Sequence, residues 1–308
     1  MGTPLVTGPL VTGPLVVGAD GSGPALAAVE WAADEAARHG LPLRIVHASL
    51  WERYEGVEPS TTADRPSGQV LAENIVASAT ERARLRAPGV EVTADVLAED
   101  AAGALLRAGW EAALLVVGSR GRGDFRDLLL GSVALVVAAR AQCPVVVVRG
   151  DPQGLAARHG RVLLGVGEHD VDSAAVRFAF HEAAVRGAEL DVVRAWRRPA
   201  PGPGHPLPTG APRVHAEQRA SDLLDKALDP VADDYPGVRL RRSTVEGSAH
   251  RVLTARSDAA DLLVVGARRR DALVGLELGR VAHRALHHAG CPVAVVPHRR
   301  ARTAAGEP

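Results

Sequence analysis

The chain repeats itself, and this repetition limits its possible folds more than any other feature of the sequence. Leu15-Val-Val-Gly18 reappears as Val162-Leu-Leu-Gly165, and Trp31-Ala-Ala-Asp-Glu-Ala-Ala-Arg38 as Phe178-Ala-Phe-His-Glu-Ala-Ala-Val185, each 147 residues on. Leu115-Val-Val-Gly118 returns as Leu263-Val-Val-Gly266 and Cys143-Pro144 as Cys291-Pro292, each 148 residues on. A near-constant offset across four separated segments is the mark of a tandem repeat. With 308 residues to divide, each copy has the length of an ordinary domain. The expected boundaries are 1–149 and 160–298, joined by a linker at 150–159 and followed by a tail at 299–308.

Within a copy, short apolar runs alternate with longer amphipathic ones. In the first copy Leu15–Gly18, Leu43–His47, Val90–Leu97, Leu114–Gly118 and Val145–Arg149 read as strands. Helical spacing marks Ala25–His39, Val70–Arg86, Ala102–Glu111 and Ser132–Ala141, and Gly40 is placed to end the first of these helices. Runs such as Leu115-Val-Val lack inside/outside alternation, as expected for parallel strands covered on both faces. The pattern predicts an α/β fold: two tandem doubly wound domains, each a five-stranded parallel sheet in the order 3-2-1-4-5 with helices on both faces. Glu52–Ser67 and Pro199–Pro212 are expected as long surface loops. Leu5–Pro14 is a short local duplication ahead of the first strand.

Composition excludes several classes of function. Formal net charge is zero and aromatic residues are 3%, which argues against a nucleic-acid partner. No apolar run reaches the roughly 20 residues of a membrane span. The first residues lack a basic region followed by a long apolar core, so the expected location is the cytoplasm. Cys143 and Cys291, the only cysteines, are expected as buried thiols. Lys226 is the only lysine, which rules out a Walker-type loop, where lysine follows the last glycine.

The sequence that can carry chemistry is Gly118-Ser-Arg-Gly121, nine residues, then Gly131-Ser132. It leaves one apolar strand and returns at a helix start. Glycines there let the backbone approach a ligand, and free N–H groups with the positive end of the helix dipole favour an anion. Gly18-Ala-Asp20-Gly-Ser22 follows the first strand. In a 3-2-1-4-5 order both loops open on one crevice beyond the strand carboxyl ends. Asp20 can accept hydrogen bonds from ribose hydroxyls or bind Mg2+.

Val-Val-Gly-Ala-Asp20-Gly-Ser together with Gly118-x2-Gly121-x9-Gly131-Ser132 resembles the universal stress protein family, and specifically its ATP-binding branch. The similarity covers nearly the whole chain as two tandem domains. The resemblance implies that the cofactor is ATP with Mg2+. Asp20 would contact ribose or metal, and Ala48 would hold adenine through its backbone. Gly118 would lie against ribose and phosphate, and Gly121, Gly131, Ser132 and Val133 would hold the phosphates. Gly18, Ala19, Ser119 and Arg120 would complete the binding loops. The implied behaviour is that of a nucleotide-responsive regulatory module in stress response. The domains would pair as an internal pseudo-dimer through the strands Pro144–Val148 and Pro292–Val296, within a possible homodimer. Slow ATP hydrolysis or phosphoryl transfer at the same crevice, and a scaffold that binds no nucleotide, are the alternatives.

The second copy departs from the pattern. Gly167 stands where the first has Asp20, Arg269 where it has Gly121, and Arg280 where it has Ser132. Gly118 and Gly131 persist as Gly266 and Gly279. The expectation is a second domain that has lost ATP binding and serves as a structural partner, with altered anion binding as the alternative. Asp170 and Asp172 are displaced from the register of Asp20. His283 and His287 are spaced for zinc on a helix, but no third ligand stands out. Arg268-Arg-Arg270 is expected as a charged loop, Asp124 and Asp127 as solvated carboxylates, and Ser22 has no catalytic partner.

Overall fold

A computed structural model describes residues 13–50, 67–121, 130–168, 173–197, 211–267 and 278–297. The first repeat contributes β1 (Leu15–Gly18), α1 (Gly23–His39), β2 (Leu43–Ala48), α2 (Ser67–Arg86), β3 (Val92–Leu97), α3 (Ala101–Ala108), β4 (Leu114–Gly118), α4 (Ser132–Arg140) and β5 (Val145–Val148). A one-turn helix α5 (Pro152–Leu155) follows, capped by the Asp151 side chain. The second repeat gives β6 (Arg161–Gly165), α6 (Ala174–Arg186), β7 (Glu189–Trp196), α7 (Ala211–Ala232), β8 (Leu240–Glu246), α8 (Ala249–Ser257), β9 (Leu262–Ala267), α9 (Arg280–His288) and β10 (Val293–Pro297). Most of the two expected long loops lies outside the described residues, although Ser67 and Ala211 open helices.

The strands form one ten-stranded sheet in the order β3-β2-β1-β4-β5-β10-β9-β6-β7-β8. Each repeat therefore has the 3-2-1-4-5 order, and all pairings within a repeat are parallel. The one antiparallel pairing joins the repeats: Val147, Val146 and Val145 of β5 face Val293, Ala294 and Val295 of β10. All six are buried. Helices α1, α2, α6 and α7 cover one face of the sheet, and α3, α4, α8 and α9 the other. The repeats also share punctuation. Gly40 and Gly187, at φ 64° and 62°, end α1 and α6 in the left-handed conformation that glycine adopts at least cost.

Where the repeats meet, α1 packs on α6 around four buried ionisable groups. Glu35 and His39 lie one turn apart on α1, and Glu182 and Arg186 take the equivalent positions on α6. His39 Nε2 is 3.2 Å from Glu35 Oε1 and 3.2 Å from Glu182 Oε1. Arg186 donates to Oε2 of Glu35 at 2.9 Å and to Oε2 of Glu182. Each carboxylate thus has one oxygen toward histidine and the other toward arginine. Both carboxylates are fully buried, so removing a cation would strand a charge away from water. The Arg186 guanidinium also lies 5.8 Å above the Trp31 ring. Glu35, His39 and Glu182 are close enough to hold a metal ion. Arg186 and a protonated His39 already balance the two carboxylates.

Burial pushes the Glu35 carboxyl up, but the Arg186 charge and the His39 hydrogen bond outweigh it and hold its pKa well below the usual value. Burial likewise opposes protonation of His39, yet its hydrogen bonds to Glu182 and Glu35 raise its pKa to about 9. Glu182, buried beside Glu35, is raised. His181, whose ring centroid is 5.2 Å from that of His39, is lowered to about 4 by burial and by the His39 charge. On the other face Arg149 ties the end of β5 to the C-terminal carbonyls of α9, donating to Leu286 O and, at 3.0 Å, to Ala289 O. Cys143 and Cys291 are free and buried; burial raises the Cys143 thiol to about 11 and pushes Cys291 up as well, so neither is a reactive thiolate.

Arg186→Ala is expected to cost about 3–5 kcal/mol of unfolding free energy, as when one partner of a buried ion pair is deleted; a denaturant midpoint close to wild type would refute this. His39 has a folded pKa above its free value of 6.5, so its stabilising contribution is full below pH 6.5 and lost as pH rises through about 9. Stability is therefore expected to fall across that window in wild type and to fall less in His39→Gln. Equal pH dependence in both would remove His39 from the account.

Candidate functional site

The site is built where β1, β2, β3 and β4 end, because parallel strands deliver their following loops to one edge of the sheet. After β1 the chain turns through Ala19 and Asp20 into α1. Ala19 is buried, and its N–H donates to Val46 O at 3.0 Å. Asp20 Oδ1 accepts from Ser22 N at 2.9 Å, while the Ser22 side chain accepts from Ala25 N at 3.3 Å and caps α1. Ser22 therefore has a structural role. Gly18, the last residue of β1, packs under α3: a Cβ there would stand 3.0 Å from Leu105 Cδ1.

Beyond β4, Ser119 N donates to Val148 O at 3.1 Å and Gly131 N donates to Ser119 O at 2.8 Å. The second bond closes the loop, bringing Gly131 back beside Ser119 and Arg120. Gly131 is the N-cap of α4 and makes no side-chain capping bond. Ser132 is exposed as the first residue of the helix, and Val133 is half-buried against the core. First-turn amides have no partner within the helix, so they point at whatever fills the crevice.

The glycines of the motif do different work. A Cβ on Gly118 would meet Pro24 O at 2.7 Å and Pro24 C at 2.8 Å, so this glycine lets β4 pass under the first turn of α1. A Cβ on Gly121 would meet only the Asp20 carboxylate, with Oδ2 at 2.5 Å. The missing side chain at 121 thus leaves the space that the Asp20 carboxylate uses. Asp124 and Asp127 lie outside the described residues.

Past β2 and β3 lies a cavity of about 390 Å³ lined by His47, Ala48, Ser49, Leu71, Ala72 and Ile75, with Glu99 and Asp100 at its rim. His47 is buried, and its Nδ1 lies 2.7 Å from Ala19 O. A carbonyl only accepts, so Nδ1 carries a proton and donates it to Ala19 O. Of this set sequence reasoning named only Ala48. His47 was legible as a polar residue ending an apolar strand; Glu99 and Asp100 needed the fold. Asp100 caps α3 through Gly103 N at 2.9 Å, and Glu99 pairs with Arg107. Because β1 lies between β2 and β4, the cavity, the Asp20 loop and the α4 N-terminus form a row about 10 Å long, two strand spacings.

A family model described as the universal stress protein family matches residues 12–149 and again 159–297. The chain belongs to the universal stress protein family. It does so as a tandem of two family domains. A universal stress protein of Mycobacterium tuberculosis is 32% identical over 284 residues, spanning 90% of this chain and 95% of its own. Another, from Mycolicibacterium smegmatis, is 30% identical over 295 residues, covering 92% of this chain and 96% of the relative. In fold, the crystal structure of a universal stress protein from Archaeoglobus fulgidus superposes with a TM-score of 0.66 at 17% identity, covering 92% of this chain and 98% of that one.

The equivalent positions of the second repeat are arranged differently. Gly167 follows β6 without a carboxylate, Gly279 is the N-cap of α9, and Arg280 is the exposed first residue of that helix. Arg268–Arg270, Asp170 and Asp172 lie outside the described residues. The His283 and His287 rings stand 4.6 Å apart, and among the described residues no third metal ligand joins them. Among the same residues no helix is long and apolar enough to cross a membrane.

Gly118→Ala is expected to destabilise the fold by about 1–3 kcal/mol, because its Cβ meets backbone that cannot retreat. Gly121→Ala is expected to leave thermal stability within about 0.5 kcal/mol of wild type, since only the Asp20 side chain must move. Melting curves of the two variants check this, and the reverse order of effects would contradict it.

Proposed function

We propose that the first domain binds ATP with Mg2+, and that the protein acts as a nucleotide-responsive regulatory module. The observation that carries this reading is the row formed by the cavity beyond β2 and β3, Asp20 with the space left by Gly121, and the α4 N-terminus at Gly131-Ser132. Such a row suits a ligand with an apolar base, a hydroxyl-bearing sugar and an anionic tail. In this reading Ala48 and its neighbours hold the base, and the Asp20 carboxylate accepts from ribose or ligates the metal. The phosphates lie against Gly118, Ser119, Arg120 and Gly121 and the amides of Ser132 and Val133. Gly18 and Ala19 shape the floor, with the Ala19 carbonyl held by His47. A single carboxylate is a sparse metal site, consistent with an ion held largely by phosphate oxygens and water. Ligand binding would alter a surface that partners read.

Calorimetric titration of the full chain with Mg-ATP is expected to show one site, weakened about tenfold or more in Asp20→Ala, the scale of a charge-assisted hydrogen bond. Asp20→Ala combined with Gly121→Arg is expected to abolish it. Absence of binding by wild type, or unchanged binding in the double variant, would overturn the reading. Product analysis after long incubation is expected to return ATP intact; stoichiometric conversion to ADP would assign an enzyme instead.

A further inference from the structure

The second domain has the same framework as the first, but its crevice is filled and charged differently. In the first domain the cavity is lined by Ser49, Gly68 and Ala72. The corresponding residues of the second domain are Trp196, Ala216 and Ala220, and these three pack together as a small cluster of their own, with Trp196 only 8% exposed. An indole thus occupies the place where the first domain leaves room for a base. Its Nε1 has no hydrogen-bond partner among the described residues.

The charge has changed at the same time: the Asp20 carboxylate is replaced by Gly167, and basic residues stand at several other positions. His47 corresponds to Arg194, which makes the same clamp: Arg194 Nη1 donates to Val166 O at 3.1 Å, as His47 bonds Ala19 O. The Arg194 side chain is 9% exposed, so a permanent cation sits at the crevice floor. Leu50 corresponds to Arg197, Ala102 and Gly103 to His250 and Arg251, and Ser132 and Val136 to Arg280 and Arg284. These four arginines are exposed. Arg197 follows β7, Arg251 lies in the first turn of α8, and Arg280 and Arg284 lie in the first two turns of α9. All four residues therefore sit at the carboxyl edge of the second domain's strands. Partial burial and their charges lower the pKa of His250. At the mouth, Glu168 lies 3.8 Å from Arg194 Nη2 but is 73% exposed, so an incoming anion can displace it into water. Like charges gathered this way repel one another, and a multivalent anion relieves the repulsion. Guanidinium forks match phosphate oxygens bidentately, and the α9 N-terminus adds free amides on the same side.

We infer that the second domain's crevice binds a nucleobase-free oligophosphate anion, with Trp196 occupying the base position and arginines taking the place of a divalent metal. The site differs from that of the first domain in ligand class and is independent of it.

The test uses the full chain carrying Asp20→Ala and Gly121→Arg, which disables the first crevice, titrated with inorganic tripolyphosphate in the presence of EDTA. One site is expected, with affinity falling steeply as salt rises. Adding Arg280→Ala and Arg284→Ala is expected to weaken it about tenfold or more; both side chains are exposed, so the fold is retained, and circular dichroism checks this. ATP is expected to bind this background no more tightly than tripolyphosphate. No tripolyphosphate binding at millimolar concentration, undiminished binding without Arg280 and Arg284, or ATP binding more than tenfold tighter would each overturn the inference. None of these outcomes bears on ATP binding by the first domain, which is measured with both of its residues restored.

Discussion

The antiparallel contact between β5 and β10 is the constraint on which the rest of the molecule depends. Two parallel five-stranded sheets each end in an unpaired valine-rich edge, and such an edge exposes backbone donors and acceptors together with apolar side chains. Joining the edges satisfies both and turns two sheets into one. Antiparallel pairing also imposes a pseudo-twofold relation between the repeats. That relation brings α1 against its own equivalent α6 and places Glu35 and His39 opposite Glu182 and Arg186. The seam is thus hydrophobic within the sheet and ionic in the helix layer above it. Burial of the six apolar residues favours the seam, and the ionic cluster restricts which arrangement of the helices leaves no charge stranded.

The same symmetry gives the two crevices a common frame in which sequence differences become physical differences. Across the pseudo-twofold, a carboxylate faces a glycine, an imidazole faces a guanidinium and an open cavity faces an indole. The clamp onto the carbonyl after the first strand survives in both copies, because an unsatisfied buried carbonyl is costly whatever the ligand. What the clamp presents to the crevice has changed from an imidazole to a guanidinium, which is a permanent cation. Duplication inside one chain permits this, because the framework of each copy is held by its neighbour while its loops diverge.

Much of the fold was legible because parallel strands buried on both faces and helices buried on one leave distinct hydrophobic periods. Leu114–Gly118 was read with its observed limits. The strand expected from Val90 begins at Val92, and the helix expected to reach Glu111 stops at Ala108, where Gly109 follows. Those endpoints rest on capping bonds and pairing register, which leave little trace in hydropathy. In the site, Asp20, Gly121 and Gly131 were marked by spacing. His47, Glu99 and Asp100 were not, because they reach the cavity from strands and loops far apart in the chain. Gly118 was read as a ligand contact, and the fold gives it a further reason to be glycine in the backbone of Pro24.

Sequence by itself determined the duplication, the α/β alternation, the family and the asymmetry between Asp20 and Gly167, since each is a matter of residue type at a fixed offset. Tertiary structure decided what those residues meet. It placed Glu35, His39, Glu182 and Arg186, 151 positions apart at the extremes, in one buried cluster where each carboxylate also meets the cation of the other repeat. It also set Trp196 on Ala216 and Ala220, closing in one domain the space left open in the other. The physical reason is that burial and electrostatic coupling depend on distance in space, which hydrophobic patterning along a chain does not encode.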